Sequence, residues 1–322
     1  MKNVDVLSCI QPTGEMHIGN YFGAVNNWVE LQADHNCIYG IVDLHAMTNA
    51  HEPEKLRRHT DQMIIDLLAC GIDPRKSTLF VQSLVPEHVE LSWILGTMVS
   101  HKELAMQKQF VSKTENKNDD DISAGLFSYP ILQAADILIY RPDAVPVGKD
   151  QDQHLELTQR VAKKFNKDFG PVFNVPVPKF TQTPEIKSLV DPSKKMSKSL
   201  SDEHSIKLFE TEAAIRRKIS GANFSAEGKD NLLEILKACG SEGNFDELSG
   251  NENLGELEIK TEVTEALLRI TAQLKKNRTE VLKDTSLMND AIREMSKQAR
   301  QIARDTLFQV KEKIGIKNIS NF

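Results

Sequence analysis

Residues 4–20 run Val4-Asp5-Val6-Leu7-Ser8-Cys9-Ile10-Gln11-Pro12-Thr13-Gly14-Glu15-Met16-His17-Ile18-Gly19-Asn20. They read as an apolar strand, a turn built of Pro, Thr and Gly, and a His and a Gly that open a helix. A helix N-terminus fed by a strand presents unpaired N–H groups and the positive end of the helix dipole, which suits a phosphate. Gly19 has no side chain, so a flat ring could lie against its backbone. The turn lacks the G-x-G-x-x-G of a dinucleotide binder and the Gly-Lys-Ser/Thr of a Walker loop. Taken alone, it is as readily an ordinary tight turn as a nucleotide site.

The same alternation of short apolar and longer amphipathic runs continues to about residue 180, and predicts an open, doubly wound parallel sheet. Strands are expected over 4–10, 37–42, 78–82 and 144–147. Helices are expected over 19–32, 53–70, 87–99 and 154–165. Tyr129-Pro130-Ile131-Leu132-Gln133-Ala134-Ala135-Asp136 reads as a further helix with Pro130 at its first position. From about Pro184 helical periodicity takes over, with helices expected over 212–220, 230–239, 259–276 and 287–314. The run Asn116-Lys117-Asn118-Asp119-Asp120-Asp121 reads as a mobile loop tip.

The chain has 322 residues, 40% of them hydrophobic and 27% charged. That length suits two domains, or one large α/β domain with an appendage, and the composition excludes wholesale disorder. Cys9, Cys37, Cys70 and Cys239 are far apart, with no Cys-x-x-Cys pair, so neither a zinc ribbon nor a disulfide framework is expected. No run approaches about 18 apolar residues, and the N-terminal stretch is too interrupted for a signal peptide. A soluble, cytoplasmic protein is the expectation. The net charge of −6 conceals segregation. Between Glu242 and Glu265 eight acids face one lysine, and between Arg269 and Arg304 nine lysines or arginines face four acids. The basic stretch could meet a polyanion or could be a solvated helix face.

A second chemical element is Lys195-Met196-Ser197-Lys198-Ser199. Two ammonium groups three residues apart, among small hydroxyls, can clamp a polyphosphate and follow its charge as a leaving group departs. A third is the face formed by Tyr129, Gln133 and Asp136 at i, i+4 and i+7 on an otherwise apolar helix. A carboxylate there is costly to bury without a partner, such as a core arginine or a ligand.

Together the first two elements resemble the class I aminoacyl-tRNA synthetases: a His-Ile-Gly-Asn variant of the HIGH signature at His17–Asn20, then Lys-Met-Ser-Lys-Ser far downstream. Val42-Asp43-Leu44-His45-Ala46, Ala134-Ala135-Asp136-Ile137-Leu138 and Val147-Gly148-Lys149-Asp150-Gln151-Asp152-Gln153-His154 are similar to the tryptophanyl members, in the family's order and over almost the whole chain. The resemblance implies a Rossmann-like catalytic domain over 1–183, a helical anticodon-binding region over 184–290, and a C-terminal helix over 291–322 that packs back on the catalytic domain. It implies activation of tryptophan by ATP, transfer to tRNA(Trp), and a homodimer.

Carried over residue by residue, the resemblance assigns the indole N–H to Asp136. Tyr129 and Gln151 would hold the α-amino group, and His45 and Gln133 would line the pocket. Gln11 would lie near the carboxylate or α-phosphate. ATP would meet Gln11, Pro12, Thr13, His17, Gly19 and Asn20, with its ribose at Gly148 and Asp150, Lys149 beside the ribose, and its adenine beside Ile186. Lys195, Met196, Ser197, Lys198 and Ser199 would take the triphosphate, reached also by Lys113 in the segment that carries Gln109. Catalysis would fall to Lys195, Lys198, Gln11 and Lys113. No protein metal site is implied, Mg²⁺ being held mainly by the ATP phosphates. Lys149 stands where many bacterial relatives have Glu, and Gln133 where several have Met. Tyrosyl-tRNA synthetases share both signatures and the fold, but their pocket must bond a phenol, and the Ala-Ala-Asp-Ile-Leu context favours indole. A catalytically idle, RNA-binding relative is the alternative of another class, against which Lys195 and Lys198 speak.

Overall fold

The computed structural model describes residues 4–48, 50–115, 118, 122–146, 152–179, 184–198, 200–240 and 255–317. Five strands, β1 (Val6–Ile10), β2 (Cys37–Ile41), β3 (Thr78–Val81), β4 (Ala144–Pro146) and β5 (Val177–Lys179), form a parallel sheet in the order β3-β2-β1-β4-β5. Every residue of β2 is buried, as a parallel strand covered on both faces requires. The chain winds outward from β1 through β2 to β3, then restarts on the other side with β4. The expected doubly wound sheet is therefore present, and its crevice opens at the carboxyl ends of β1 and β4, where such sheets gather ligands.

The helix expected over 19–32 is composite: α1 (Ile18–Asn20), a π-helical turn (Tyr21–Val25) and α2 (Asn26–Leu31). Next come α3 (Asp43–Ala46), α4 (Pro53–Ala69), α5 (Glu87–Gly96), α6 (His101–Ala105), α7 (Lys108–Thr114), α8 (Ala124–Leu138) and α9 (Asp152–Phe169). Periodicity does not reveal α6, α7 or β5, which are too short to display it. Pro178 within β5 also argues against a strand, a proline being tolerated only because β5 lies at the sheet edge. The expected start of α8 at Pro130 is corrected. Ser123 caps the helix by accepting from the Leu126 N–H, and Pro130 lies inside it. The apolar burial of Leu126, Ile131, Ala134, Ala135, Ile137 and Leu138 offsets the amide that proline lacks.

Beyond residue 184 the chain forms α10 (Glu212–Ser220), α11 (Ala226–Ala238), α12 (Glu256–Val281) and α13 (Thr285–Ile314). Their apolar side chains are not a separate core. Leu232, Leu236, Val263 and Leu267 share a cluster with Met16, Trp28, Tyr39 and Met63. The border expected at 290 falls inside α13, which continues unbroken onto the edge of the sheet. There the Val81 N–H donates to Ser296 Oγ (3.4 Å) and the Leu79 N–H to Met295 Sδ (3.4 Å), so side chains of α13 cover an edge that would otherwise be open. The basic stretch is partly internal. Arg278 Nε donates to Asp66 on α4 (3.2 Å), and Arg300 Nε to both oxygens of Glu87 on α5 (2.9 and 3.1 Å). Arg293 and Lys297 pair with acids one turn away on α13 itself. The stretch is thus neither a uniform polyanion face nor a uniformly solvated one. The acidic run before residue 255 and, apart from Asn118, the polar run over 116–121 lie outside the described residues. Among the described residues no helix is long and apolar enough to cross a membrane.

Candidate active site

The turn after β1 is closed by reciprocal bonds. The Asn20 N–H donates to His17 Nδ1 (3.2 Å), and the His17 N–H donates to Asn20 Oδ1 (3.3 Å). His17 is buried, and burial together with the nearby Lys198 and Lys195 charges pushes its imidazole down to about 4. The ring is neutral at pH 7 and can accept, as the Asn20 contact requires. A segment from the far end of the sequence is laid antiparallel along this turn: Ile18 N–H bonds Ile206 O (3.0 Å) and Leu208 N–H bonds Met16 O (2.8 Å).

That segment brings the lysine loop with it. Lys198 Nζ donates to Gly14 O (3.0 Å), joining two signatures 184 residues apart. Gly14 has φ +116, a conformation that favours glycine and turns its carbonyl to the ammonium. Burial pushes Lys198 down to about 8, opposed by the Asp66 carboxylate. Met196 is buried and its N–H bonds Ile186 O (3.0 Å), which sets Ile186 beneath the loop, while Lys195 is exposed. The space expected to lie open over Gly19 is filled in this conformation. A Cβ there would stand 3.0 Å from the His17 ring and 3.4 Å from Met196 Cβ, so a flat ring can reach Gly19 only after both move. Pro12 and Thr13 instead border a cavity of about 460 Å³ whose far wall is Ala46, Lys55, Leu56 and His59.

Lys218, which no motif singles out, anchors the docked segment. Its side chain is fully buried, and its ammonium meets Glu210 (2.6 Å), Asp202 (2.9 Å) and the Ser205 carbonyl (3.0 Å). Deleting one partner of a buried ion pair leaves the other uncompensated, at a cost of about 3–5 kcal/mol. Lys218→Met should lower stability by about that amount in urea unfolding. An unchanged midpoint would mean the cluster holds nothing.

The carboxylate expected to await a ligand already has protein partners. Asp136 is buried on α8. Gln82 Nε2 donates to its Oδ1 (2.8 Å), His88 Nδ1 contacts the same oxygen (2.5 Å), and His45 Nε2 contacts Oδ2 (2.7 Å). Burial alone would raise the Asp136 pKa, but His45 and the His88 bond outweigh it and hold the carboxyl well below the usual range. The core arginine that could have been its partner is thus replaced by two histidines and an amide. Gln82 is fixed in turn, its Oε1 accepting from the Leu44 N–H (3.1 Å). Two helical turns back on α8, Tyr129 Oη donates to Gln109 Oε1 (3.2 Å) and lies 3.1 Å from His154 Nε2. Gln133 is half-buried between them.

The structure therefore brings His17, Gly19, Asn20, Ile186, Met196 and Lys198 together on one side of the crevice, and His45, Gln109, Tyr129 and Asp136 on the other. Gly148, Lys149, Asp150, Gln151, Ser199 and the Lys113 side chain lie outside the described residues. Sequence reasoning missed Gln82, His88, Tyr140, His154 and Lys218. Of these His154 closes a motif quoted for the resemblance, and Gln82 left a trace as a polar residue at the carboxyl end of a parallel strand, where doubly wound sheets place ligand groups.

The family model described as tRNA synthetases class I (W and Y) matches residues 1–300. The chain is 41% identical to the tryptophan–tRNA ligase of Clostridium acetobutylicum, over 96% of both chains. Its fold superposes on the crystal structure of tryptophanyl-tRNA synthetase from Mycoplasma pneumoniae with a TM-score of 0.87 at 30% identity, covering 98% of this chain and 99% of the other. The Campylobacter jejuni tryptophanyl-tRNA synthetase, solved with ADP and tryptophan, gives 0.83 at 31% identity, covering 97% and 100%.

Proposed function

The chain belongs to the class I tRNA synthetases of the W and Y family, and from that membership we propose that it activates tryptophan with ATP and transfers it to tRNA(Trp). The observation that carries the reading is the docking of Lys198 on Gly14, which sets an ammonium beside a turn suited to phosphate. The choice of tryptophan over tyrosine rests on the tryptophan-named relatives at about 40% identity. An ATP–pyrophosphate exchange assay with tryptophan and with tyrosine tests both. Exchange with tryptophan is expected, and exchange with tyrosine alone, or with neither, removes the proposal.

In the first step the tryptophan carboxylate attacks the α-phosphorus of ATP in line, forming the adenylate and expelling pyrophosphate. In the second a ribose hydroxyl of the terminal tRNA adenosine attacks the activated carbonyl and AMP leaves. No side chain becomes covalent, so the protein's work is positioning and charge stabilisation. Gln11 to Asn20 and Gly148 to Asp150 hold the nucleotide. Lys195, Lys198 and Lys113 meet the charge of the departing pyrophosphate. Asp136, Tyr129, Gln133, Gln151 and His45 surround tryptophan. Mg²⁺ enters on the ATP phosphates as part of the substrate. The helices beyond residue 184 receive the tRNA.

An exposed apolar surface supports the homodimer. Trp93 is 80% exposed and Val89, one turn before it on α5, 51% exposed, with Leu84 and Met47 near the start of the same helix. Large exposed aromatics of this kind act as anchors at protein interfaces, and truncating one costs about 2 kcal/mol or more, roughly thirtyfold in Kd. Trp93→Asp should shift the protein toward monomer in light scattering. A variant that stays dimeric moves the interface elsewhere.

A further inference from the structure

We propose that His88 is a positioning residue for amino-acid specificity: with Gln82 it fills both acceptor positions of Asp136 Oδ1, leaving the second lone pair of Oδ2 as the acceptor for a substrate ring N–H. The inference rests on the tryptophan reading above and names the device that makes the site selective for a ring donor. Each carboxylate oxygen accepts two hydrogen bonds in favourable directions. Oδ1 has Gln82 at 2.8 Å and His88 at 2.5 Å, and is complete. Oδ2 has His45 at 2.7 Å and, among the described residues, one position remaining.

The donors also fix the plane of the carboxylate, because they come from three different elements. His45 lies on α3, Gln82 in the turn after β3, and His88 in the first turn of α5. His88 itself cannot swing. It has no exposed surface, and its ring sits between Phe80 (centroids 5.5 Å apart) and Tyr140 (5.3 Å). Its second nitrogen, Nε2, lies 2.7 Å from the Tyr140 hydroxyl. Burial keeps Tyr140 a neutral phenol, so its O–H is available to donate to Nε2. That assignment leaves the proton on Nδ1, where Asp136 needs a donor. The chain Tyr140–His88–Asp136 thus transmits the rigidity of the core to one acceptor position. A rigid, partly satisfied acceptor rejects ligands that offer no donor far better than a loose one does.

The test compares tryptophan with its benzothiophene analogue, β-(3-benzothienyl)alanine, in which sulfur replaces the ring N–H and the shape is kept. The readout is the ratio of their kcat/KM values in ATP–pyrophosphate exchange. For wild type a ratio of about 10- to 150-fold is expected, the range of one charge-assisted bond. His88→Leu should cut that ratio about tenfold, through a raised KM for tryptophan, and leave the analogue nearly unchanged. His88→Asn, whose amide N–H can take the place of Nδ1–H, should restore part of the ratio. If His88→Leu fails to fold, Tyr140→Phe, which removes only the hydroxyl behind Nε2, should lower the ratio a few-fold. An equal fall for both substrates in His88→Leu, or an unchanged ratio in a folded Tyr140→Phe, makes these residues structural only and overturns the inference. A wild type that prefers tryptophan but does not distinguish the analogue overturns the inference alone. One that prefers tyrosine overturns the tryptophan reading and the inference with it.

Discussion

Lys198→Ala should slow ATP–pyrophosphate exchange by about 10²–10³ while tryptophan binding at equilibrium changes little. Removing one preorganised donor from a developing charge costs about 2.7–4 kcal/mol in the transition state, which is this range. The ammonium rests on the Gly14 carbonyl at 3.0 Å, already at the turn expected to cradle the nucleotide, so little reorganisation separates its resting position from its proposed work. The loss should appear in kcat and not in KM for tryptophan, because nothing places Lys198 near Asp136. Its titration adds a second signature. Burial lowers the Lys198 pKa to about 8, so in the free enzyme the charged form dominates below that pH and disappears above it. kcat/KM for ATP should therefore fall as pH rises through about 8. A bound triphosphate favours the ammonium and should move the same transition upward in kcat. Lys198→Arg, charged throughout, should flatten the profile. Exchange by Lys198→Ala at near the wild-type rate would take the loop out of the chemistry.

The two signatures were legible because each is a contiguous string. Gln11 to Asn20 and Lys195 to Ser199 carry their chemistry within ten residues or fewer, and their spacing survives reading in one dimension. What holds them together does not. Lys207 reaches Glu15 at 2.8 Å and Lys218 reaches Asp202 and Glu210, contacts that exist only once the chain folds back on the turn. The filled space over Gly19 was hidden for the same reason, since Met196 lies far along the chain from the glycine it covers. The doubly wound, parallel character of the sheet was predictable from the βα rhythm, whereas β5 depended on an edge that tolerates Pro178. Basic residues between Arg269 and Arg304 looked alike in sequence, yet Arg278 and Arg300 are struts to Asp66 and Glu87, and only the fold separates them from their exposed neighbours.

Asp136 sets the other large expected effect. From sequence alone, a carboxylate on an apolar helix face needs a partner, and the resemblance supplies an indole. The structure supplies His45, Gln82 and His88 before any ligand arrives. Asp136→Ala therefore does more than remove an acceptor, because it leaves three buried donors without one. Each such group costs about 1–3 kcal/mol, so this variant should unfold at a distinctly lower temperature and is a poor probe of specificity. The network also predicts a pH dependence. The folded carboxyl is held below its ordinary pKa, so it contributes stability that is present above the unfolded value near 4 and is lost as pH falls further. Wild type should thus lose stability below about pH 4 more steeply than a variant lacking this carboxylate. Asp136→Asn is the cleaner test of substrate choice. It keeps the shape and one carbonyl acceptor but replaces the charge, and turns an N–H toward donors on one side. Tryptophan use should fall by roughly 10- to 150-fold, the loss of a charge-assisted bond. Phenylalanine, with no ring donor to lose, should remain about as poor a substrate as before. A tryptophan-to-phenylalanine ratio unchanged in folded Asp136→Asn would leave the carboxylate a structural node and place the indole acceptor on another residue.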